Sequence, residues 1–275
     1  MSPLLKKDIQ LVCFDVDHTL LNDAQQLTPL TERTLKELQE REIHVILATG
    51  KNRDAVLEII ETLDLCDPLI FSNGCLIQTG DGKILCKHTL PLEKSQQVLD
   101  FGMRNRVNMM MYCSDRTIEK EGHQSPNLTA KYGGSPPVVV KNWEDLDERL
   151  HDVLKILFID GRNKPFLVEL EEKLNHEITE DISTCYSLPF LLEVMPRGVS
   201  KGNTLHELSQ LINIPLDNMM AFGDGNNDIE MLEFAGVGVA LGNATPELKE
   251  VADHVTLTNN EDGPALFLRD YFNLP

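Results

Sequence analysis

The sequence predicts an α/β protein whose core is a Rossmann-like, doubly wound parallel sheet, with an α/β domain inserted into it. Towards both ends of the chain, short and almost wholly apolar segments alternate with amphipathic ones, the pattern of parallel strands covered by helices on both faces. In the middle, this alternation gives way to a mixture of strands and helices of α+β type. We therefore predict a core of residues 1–83 and 195–275 and an inserted domain of residues 84–194.

The first part of the chain alternates three strands with two helices. We predict strands at IQLVCF, IHVILA and PLIFS, which are residues 9–14, 43–48 and 68–72. Between them lie the helical segments at 28–42 and 52–65. The first of these helices has Thr28 as its N-cap and Pro29 at its first position, where a missing amide hydrogen costs nothing.

The middle of the chain has helical segments at 93–106, 148–154 and 165–175. Predicted strands lie at 107–113, 116–120, 137–141 and 155–160, and STCYSLPFLLEVM at 183–195 is expected to form a hairpin broken near Leu188 and Pro189. A turn is expected at YGGSPP, residues 132–137. Strands that pair locally, with helices on one side, suggest a small open sheet.

The last part of the chain returns to the first pattern. Helices are expected at 201–213, 227–235, 246–252 and 263–272, and strands at 218–224, 236–241 and 254–258. An α/β pattern that is interrupted and then resumed indicates an insertion into one core.

Composition excludes several classes of function. Hydrophobic residues make up 41% of the 275 residues and charged residues 25%, as in ordinary globular enzymes. The net charge of −19 disfavours nucleic acid and anionic membrane surfaces as partners, because both require a basic face. The first residues, MSPLLKKDIQ, lack the apolar core of a signal peptide, so we expect a cytoplasmic protein. The six cysteines form no CxxC pair and are expected to be reduced.

Polar residues follow the predicted core strands at the point where each strand ends. Asp15 and Asp17 follow the first strand, and Thr49 and Gly50 follow the second. Later in the chain, the strand NMMAFG is followed by Asp224 and, four residues on, Asp228, while Lys201 begins a helix. Ligands of open parallel sheets bind beyond the carboxyl ends of the strands. These oxygens and one ammonium are therefore expected to gather at one edge of the sheet.

Such a cluster of carboxylates requires a positive charge. Asp15, Asp17, Asp224 and Asp228 would repel one another at short range unless some are protonated or a cation joins them. A ligand set made only of oxygen favours a hard ion, Mg²⁺ before Ca²⁺. We therefore predict Mg²⁺ as the cofactor.

The same residues suit phosphoryl transfer. Asp15 can attack phosphorus to form an aspartyl-phosphate, and Asp17, on the same side of an extended chain, can protonate the leaving alcohol and later activate water. Thr49 is expected to bind a phosphate oxygen, and Lys201 to balance the charge of Asp15 and of the transferred group.

Five short motifs give the sequence its family resemblance. They are DVDHT at 15–19, ATG at 48–50, SNG at 72–74, SKG at 200–202 and GDGNNDIEML at 223–232. In this order the chain resembles the haloacid dehalogenase superfamily, and within it the Cof-type phosphatases of small molecules, which carry a large α/β cap of type IIB.

The resemblance implies a role for each matching position. It makes Asp15 the nucleophile and Asp17 the acid and base, and it gives the metal to Asp15, Asp224 and the backbone carbonyl of Asp17. It adds Asp228 and Asn227 as residues that hold the metal directly or through water. It also implies a group of substrate-binding residues, which we assign as Gly50, Lys51, Arg53, Asn73 and Asn227.

The chain departs from the family pattern at two positions. The family usually has Gly at the position of His18 and Arg at that of Lys51, although Arg53 follows closely. We expect His18 to be a local structural residue rather than a ligand. Candidate substrate contacts in the cap are Asp115, Arg116, Lys131 and Tyr132, although their spacing specifies no metabolite.

The sequence therefore predicts a Mg²⁺-dependent phosphatase of a small phosphorylated metabolite, either a sugar phosphate or a phosphorylated cofactor such as pyridoxal phosphate or a flavin nucleotide. One alternative is a phosphomutase of the same fold, which would return the phosphoryl group to a bound intermediate. Another is a non-catalytic phospho-acceptor switch, which would not need a second acidic residue such as Asp17. The oligomeric state cannot be read from the sequence.

Overall fold

The computed structural model describes residues 7–122, 134–146, 149–160, 164–178 and 181–275, with the side chains of Arg149 and Lys164 left out. These residues form two compact units. The first contains residues 7–49, 57–85 and 200–275, and the second contains residues 50–56 and the described part of 86–199. Residues 50–56 fall within the predicted core range of 1–83, whereas their contacts group them with the second unit. The predicted domain boundaries stay a prediction.

Strands and helices alternate through much of the described chain. The strands are β1 (Leu11–Phe14), β2 (His44–Leu47), β3 (Pro68–Phe71), β4 (Leu76–Thr79), β5 (Ile84–Lys87), β6 (Asn108–Cys113), β7 (Thr117–Lys120), β8 (Val138–Val140), β9 (Val153–Ile159), β10 (Ile182–Leu188), β11 (Leu191–Pro196), β12 (Met219–Gly223), β13 (Val237–Ala240) and β14 (His254–Val255). The α-helices are α1 (Pro29–Gln39), α2 (Leu57–Thr62), α3 (Leu92–Arg104), α4 (Lys164–Glu177), α5 (Lys201–Ile212), α6 (Ile229–Phe234), α7 (Pro246–Val251) and α8 (Gly263–Tyr271).

The first unit is built on a five-stranded parallel sheet with the order β14-β13-β12-β1-β2. The central strand β1 pairs with β2 on one side and with β12 on the other, so that Phe14 lies beside both Leu47 and Phe222. Successive strands before the insertion extend the sheet in one direction, and those after it extend it in the other. The gap between the ends of β1 and β12 is therefore the switch point at which such sheets bind ligands. The predicted fold class is confirmed.

Local sequence explains where two helices begin. At α1, the side chain of Thr28 accepts a hydrogen bond from the amide of Thr31 at 3.2 Å, as its predicted role as N-cap requires. At α5, Ser200 accepts in the same way from the amide of Asn203 at 3.1 Å. This second cap fixes the position at which Lys201 enters the fold.

The second unit contains a six-stranded sheet with the order β10-β11-β9-β6-β7-β8. A large apolar cluster includes alternate residues of β6 and β9 together with residues of α3 and α4, and Phe101 stacks on Phe158 within it at 6.0 Å between ring centroids. A smaller cluster, which includes Met110 and Leu157, is formed by the intervening residues of the same strands. The predicted hairpin around Leu188 is present as β10 and β11.

Several predicted elements differ from the structure. The predicted helix at 148–154 is a single 3₁₀ turn, Arg149–Asp152, followed by β9 from Val153, because the apolar pattern of the strand begins before Lys155. The predicted strand at 254–258 is limited to two residues. Strands β4 and β5 were not predicted. The predicted turn at 132–137 is described only from residue 134, and Lys131 and Tyr132 lie outside the described residues.

Among the helices of the described residues, we find none with the length and apolar character needed to cross a bilayer.

Candidate active site

Asp15 lies at the carboxyl end of the central strand. It follows β1 directly, and its amide donates a hydrogen bond to the carbonyl oxygen of Phe222 at 3.0 Å, so the backbone at Asp15 is still held by the neighbouring strand. Its side chain is 11% exposed. A carboxylate in this position is both fixed by the sheet and open to a ligand at the sheet edge.

Lys201 joins two of the predicted carboxylates. Its Nζ atom donates to Oδ1 of Asp15 at 2.5 Å and to Oδ1 of Asp228 at 2.6 Å. Its side chain is fully buried. Burial alone lowers the pKa of Lys201, but the attraction of Asp15 and Asp228 outweighs it, so the pKa is raised above its ordinary value. Lys201 is therefore a permanent positive charge between two carboxylates.

Asp228 is held from both sides. While Oδ1 accepts from Lys201, Oδ2 accepts from the backbone amides of Asp224 and Gly225, each at 3.1 Å. Burial raises the pKa of Asp228 to about 6, although the charge of Lys201 opposes this shift. The close approach needs a glycine at 223, because a Cβ atom there would collide with the side chain of Asp228. These contacts suit Asp228 to organising the loop after β12.

The pKa of Asp224 is raised further than that of Asp228. Burial, followed by repulsion from Asp15 and Asp228, raises the pKa of Asp224 to about 8. Its Oδ1 atom accepts a hydrogen bond from the hydroxyl of Thr19 at 2.8 Å. One oxygen atom from each of Asp15, Asp224 and Asp228 lies within 4.8 Å of the others. An all-oxygen site with this electrostatic cost fits a hard divalent cation.

Asp17 lies in the single tight turn that follows β1, Val16–Leu20. It is half-buried and extended, and its side chain is not among the three carboxylates that converge. The next residue, His18, has a φ of 58°, in the left-handed region that favours glycine. The departure from the family pattern at His18 thus falls on a residue whose conformation glycine would adopt more easily.

Three further predicted residues lie together in the first unit. The amide of Thr49 donates to the carbonyl of Ile70 at 2.9 Å, and the carbonyl of Thr49 accepts from the amide of Asn73 at 2.9 Å. The side chain of Asn227 donates to Oδ1 of Asn73 at 3.1 Å. The loop after β12 is thereby joined to the SNG turn, and that turn to the end of β2.

The remaining predicted residues belong to the second unit. Gly50, Lys51 and Arg53 lie in the segment 50–56, and the carbonyl of Gly50 accepts a hydrogen bond from Nζ of Lys155 at 2.8 Å. Asp115 and Arg116 are exposed and form an ion pair with each other.

Two features of the structure were missed in the sequence. Thr19 was given no role in the sequence analysis, although its place in DVDHT was a usable signal; its hydroxyl donates to Oδ1 of Asp224. The buried ion pair of Lys155 and Glu193, at 2.5 Å, had no signal, because each residue interrupts an apolar strand in a different part of the chain.

The chain is similar to known proteins in family, in sequence and in fold. Residues 12–268 match the family of haloacid dehalogenase-like hydrolases. Over 268 residues the chain is 31% identical to the 5-amino-6-(5-phospho-D-ribitylamino)uracil phosphatase YcsE of Bacillus subtilis, with 96% of each chain covered. It is also 28% identical to the chloroplastic endoribonuclease YBEY of Arabidopsis thaliana, but it spans only 46% of that protein's length.

Among solved structures, a haloacid dehalogenase-like hydrolase from Bacteroides thetaiotaomicron superposes with a TM-score of 0.83. The two chains are 26% identical, and the match covers 95% of this chain and 99% of the other. The family resemblance read from the five motifs is confirmed.

Proposed function

Because the chain is a phosphatase of the haloacid dehalogenase-like hydrolase family, we propose that it hydrolyses phosphate monoesters of small metabolites through an aspartyl-phosphate on Asp15, with Mg²⁺ as its cofactor. The observation that carries this proposal is the buried ammonium of Lys201, which holds the carboxylate of Asp15 at the sheet's switch point. A carboxylate fixed by a cation beside a ligand-binding edge is suited to nucleophilic attack.

In the first half of the reaction, an oxygen of Asp15 attacks phosphorus, and the bond between phosphorus and the ester oxygen breaks. The leaving alkoxide takes a proton from Asp17, which lies two residues beyond the nucleophile. The product alcohol departs, and the phosphoryl group stays on Asp15. Lys201 stabilises the negative charge at the nucleophile throughout, and Thr49 holds a phosphoryl oxygen.

In the second half, Asp17 as a carboxylate removes a proton from water, which attacks the same phosphorus atom. The bond between phosphorus and Asp15 breaks, inorganic phosphate forms, and both aspartates return to their starting states. Asp17 thus serves first as the acid that protonates the alcohol and then as the base that deprotonates water.

We assign the metal to Asp15, Asp224 and the backbone carbonyl of Asp17. Asp228 and Asn227 are assigned to hold it directly or through water. Mg²⁺ bound there would neutralise charge on the phosphoryl oxygens. The raised pKa values of Asp224 and Asp228 support this assignment, because they reflect the cost of burying several carboxylates close together.

For the substrate we propose a phosphate monoester of a sugar, or of a cofactor or its precursor. The support is the relative YcsE, whose name specifies a phosphorylated ribityl chain attached to a uracil ring. Gly50, Lys51, Arg53, Asn73 and Asn227 remain our candidates for substrate contacts, with Asp115, Arg116, Lys131 and Tyr132 as candidates in the cap. The proposal places this activity in the cytoplasm.

The test is the release of inorganic phosphate from a panel of sugar phosphates and phosphorylated cofactors, with and without Mg²⁺. We expect release that requires Mg²⁺ and is abolished in Asp15→Asn. A folded wild-type protein that releases no phosphate from any member would overturn the proposal. Isomerisation of a sugar phosphate that needs a bisphosphate activator would instead support the phosphomutase.

A further inference from the structure

The turn that carries Asp17 has an unfavourable backbone. It is closed by the amide of Leu21, which donates to the carbonyl of Val16 at 2.9 Å. Inside it, His18 adopts a left-handed conformation although it has a Cβ atom. A residue in this region costs of order 1 kcal/mol or more and persists only when its surroundings impose it. The groups that impose it should therefore be identifiable.

Asn243 is the first of these groups. It lies just after β13, and its side-chain nitrogen donates to the carbonyl oxygen of His18 at 2.8 Å. Its Oδ1 atom accepts from the backbone amide of Asn259 at 3.0 Å. Since both ends of the amide are engaged, the side chain is fixed in the orientation that holds His18.

Asn259 and Asn260 hold the end of the same turn. The buried side chain of Asn259 donates to the carbonyl of Leu21 at 3.1 Å and to Oδ1 of Asp23 at 3.0 Å. Asn260 binds Asp23 twice: its oxygen accepts from the amide of Asp23 at 3.0 Å, and its nitrogen donates to Oδ2 at 2.9 Å. We call Asn243, Asn259 and Asn260 the asparagine clamp.

The clamp acts on the backbone on the carboxyl side of Asp17. Its side chains form hydrogen bonds with the carbonyls of His18 and Leu21 and with both the backbone and the side chain of Asp23. Amide side chains do not titrate, so these hydrogen bonds are the same in every step of a reaction in which Asp17 gains and loses a proton. The lowered pKa of Asp23, about 2, is caused first by Asn260 and then by Asn259 and His18, in agreement with this geometry.

We propose that the asparagine clamp positions Asp17 for proton transfer to the leaving alcohol. This inference rests on the proposed function, in which Asp17 is the acid and base. The three asparagines are positioning residues: they act on the turn and not on the substrate. An Asp17 side chain that is displaced by a fraction of an ångström loses proton transfer, because a general acid must lie within hydrogen-bond reach of the atom that it protonates.

The proposal predicts a dependence on the leaving group. An alkyl phosphate, such as a sugar phosphate, needs its leaving oxygen protonated, whereas p-nitrophenolate leaves without help. In Asn243→Ala and Asn259→Ala we expect kcat/KM for the best sugar phosphate, measured at saturating Mg²⁺, to fall at least about tenfold, a part of the usual effect of general acid catalysis. For p-nitrophenyl phosphate we expect kcat/KM to change by less than about threefold, because its leaving group needs no proton and the later attack of water, in which Asp17 is the base for either substrate, does not enter kcat/KM.

Asn218→Ala is the matched control. The side chain of Asn218 also holds a backbone carbonyl, that of Asp8 at 2.5 Å, but just before β12, at the opposite end of the sheet. We expect it to leave the ratio of the two rates unchanged. A clamp variant that lowers kcat/KM equally for both substrates would show a structural role only and overturn the proposal, as would one that lowers it for neither.

Hydrogen exchange tests the same clamp without any substrate. Amides of residues 17–23 should exchange at least about tenfold faster in both clamp variants, which corresponds to about 1.4 kcal/mol, while those of β1 keep their wild-type rates. Unchanged exchange at 17–23 would overturn the clamp even in an active enzyme. A wild-type protein that hydrolyses neither ester would overturn the proposed function instead, and the exchange result would still stand.

Discussion

The ammonium of Lys201 decides the charge of the whole site. It is buried, and it lies within 2.6 Å of two carboxylates that the chain places far apart in sequence. An ion pair of this kind contributes little net stability compared with apolar residues, but removing one partner leaves the other charge buried and uncompensated. Residues at this scale can therefore be tested by removing one charge at a time.

In Lys201→Met we expect phosphatase activity to fall by about 10²-fold or more, because the negative charge at Asp15, the nucleophile of the proposed function, loses its counter-ion. We also expect a loss of about 3–5 kcal/mol in the free energy of unfolding. Initial rates and urea unfolding measure the two effects. Lys249→Met is the control, since Nζ of Lys249 donates to a backbone carbonyl, that of Gly242, at 2.6 Å. Equal losses in both variants would contradict the prediction.

Asp224 predicts the response of the protein to metal. Burial and the repulsion of Asp15 and Asp228 raise its pKa to about 8, and a bound cation would offset that repulsion. Because a ligand that binds only the native state stabilises it, Mg²⁺ should raise the Tm of the wild type, and Asp224→Asn should abolish the rise. Calorimetry with and without Mg²⁺ measures this. Asp217→Asn, an exposed residue before β12, should keep the full shift, and a shift retained in Asp224→Asn would place the metal elsewhere.

Asp23 predicts a change with pH. Its folded-state pKa, about 2, lies below the ordinary value of 3.8, so its hydrogen bonds stabilise the fold above pH 3.8 and that stability is lost as the pH falls through about 2. Asn260→Ala should raise the pKa of Asp23 towards 3.8, because Asn260 is the largest cause of the shift. An NMR titration of the carboxyl carbon measures it. An unchanged pKa would mean that other groups hold Asp23.

At the scale of elements, the sequence pattern that predicted the site was an apolar strand followed directly by polar residues. The carboxyl ends of β1 and β12 must meet because the strands are parallel and adjacent, so Asp15 and Asp224 could be predicted as neighbours. Strand β9 was only partly predicted, since the segment before Lys155 has the spacing of a helix as well as of a strand. The asparagine clamp could not be predicted, because single asparagines in loops carry no periodicity.

The sheet of the second unit contains a buried ion pair between strands β9 and β11, and we expect its removal to change the free energy of unfolding. Lys155 and Glu193 are 1% and 2% exposed, and Nζ of Lys155 lies 4.7 Å from the centre of the Tyr112 ring. Lys155→Met should cost about 3–5 kcal/mol in free energy of unfolding, because Glu193 is left buried and charged. The double variant Lys155→Met with Glu193→Leu should recover most of this loss. Urea unfolding compares them, and a double variant no more stable than the single would contradict the reasoning.

At the scale of the whole molecule, the sequence predicted the fold class and the convergence of Asp15, Lys201, Asp224 and Asp228 on one edge of the sheet. It did not predict that residues 50–56 belong to the second unit, because the segment ATGK continues the core pattern of the chain. Thr49 belongs to the first unit and Gly50 to the second, and this division depends on tertiary contacts. Motifs at strand ends report on sheet geometry, whereas the assignment of a loop to one unit or the other depends on contacts made far along the chain.

The central position of β1 has a consequence for synthesis on the ribosome. Asp15 is made early, but Lys201 follows 186 residues later, and β12 after that. Until both have emerged, one edge of β1 lacks its neighbour and the carboxylate of Asp15 lacks its counter-ion. The nascent chain therefore passes through a long interval in which it carries an exposed sheet edge, a hazard for aggregation, and an incomplete cluster of charges. The cluster is complete only when the residues from Lys201 onward close the sheet.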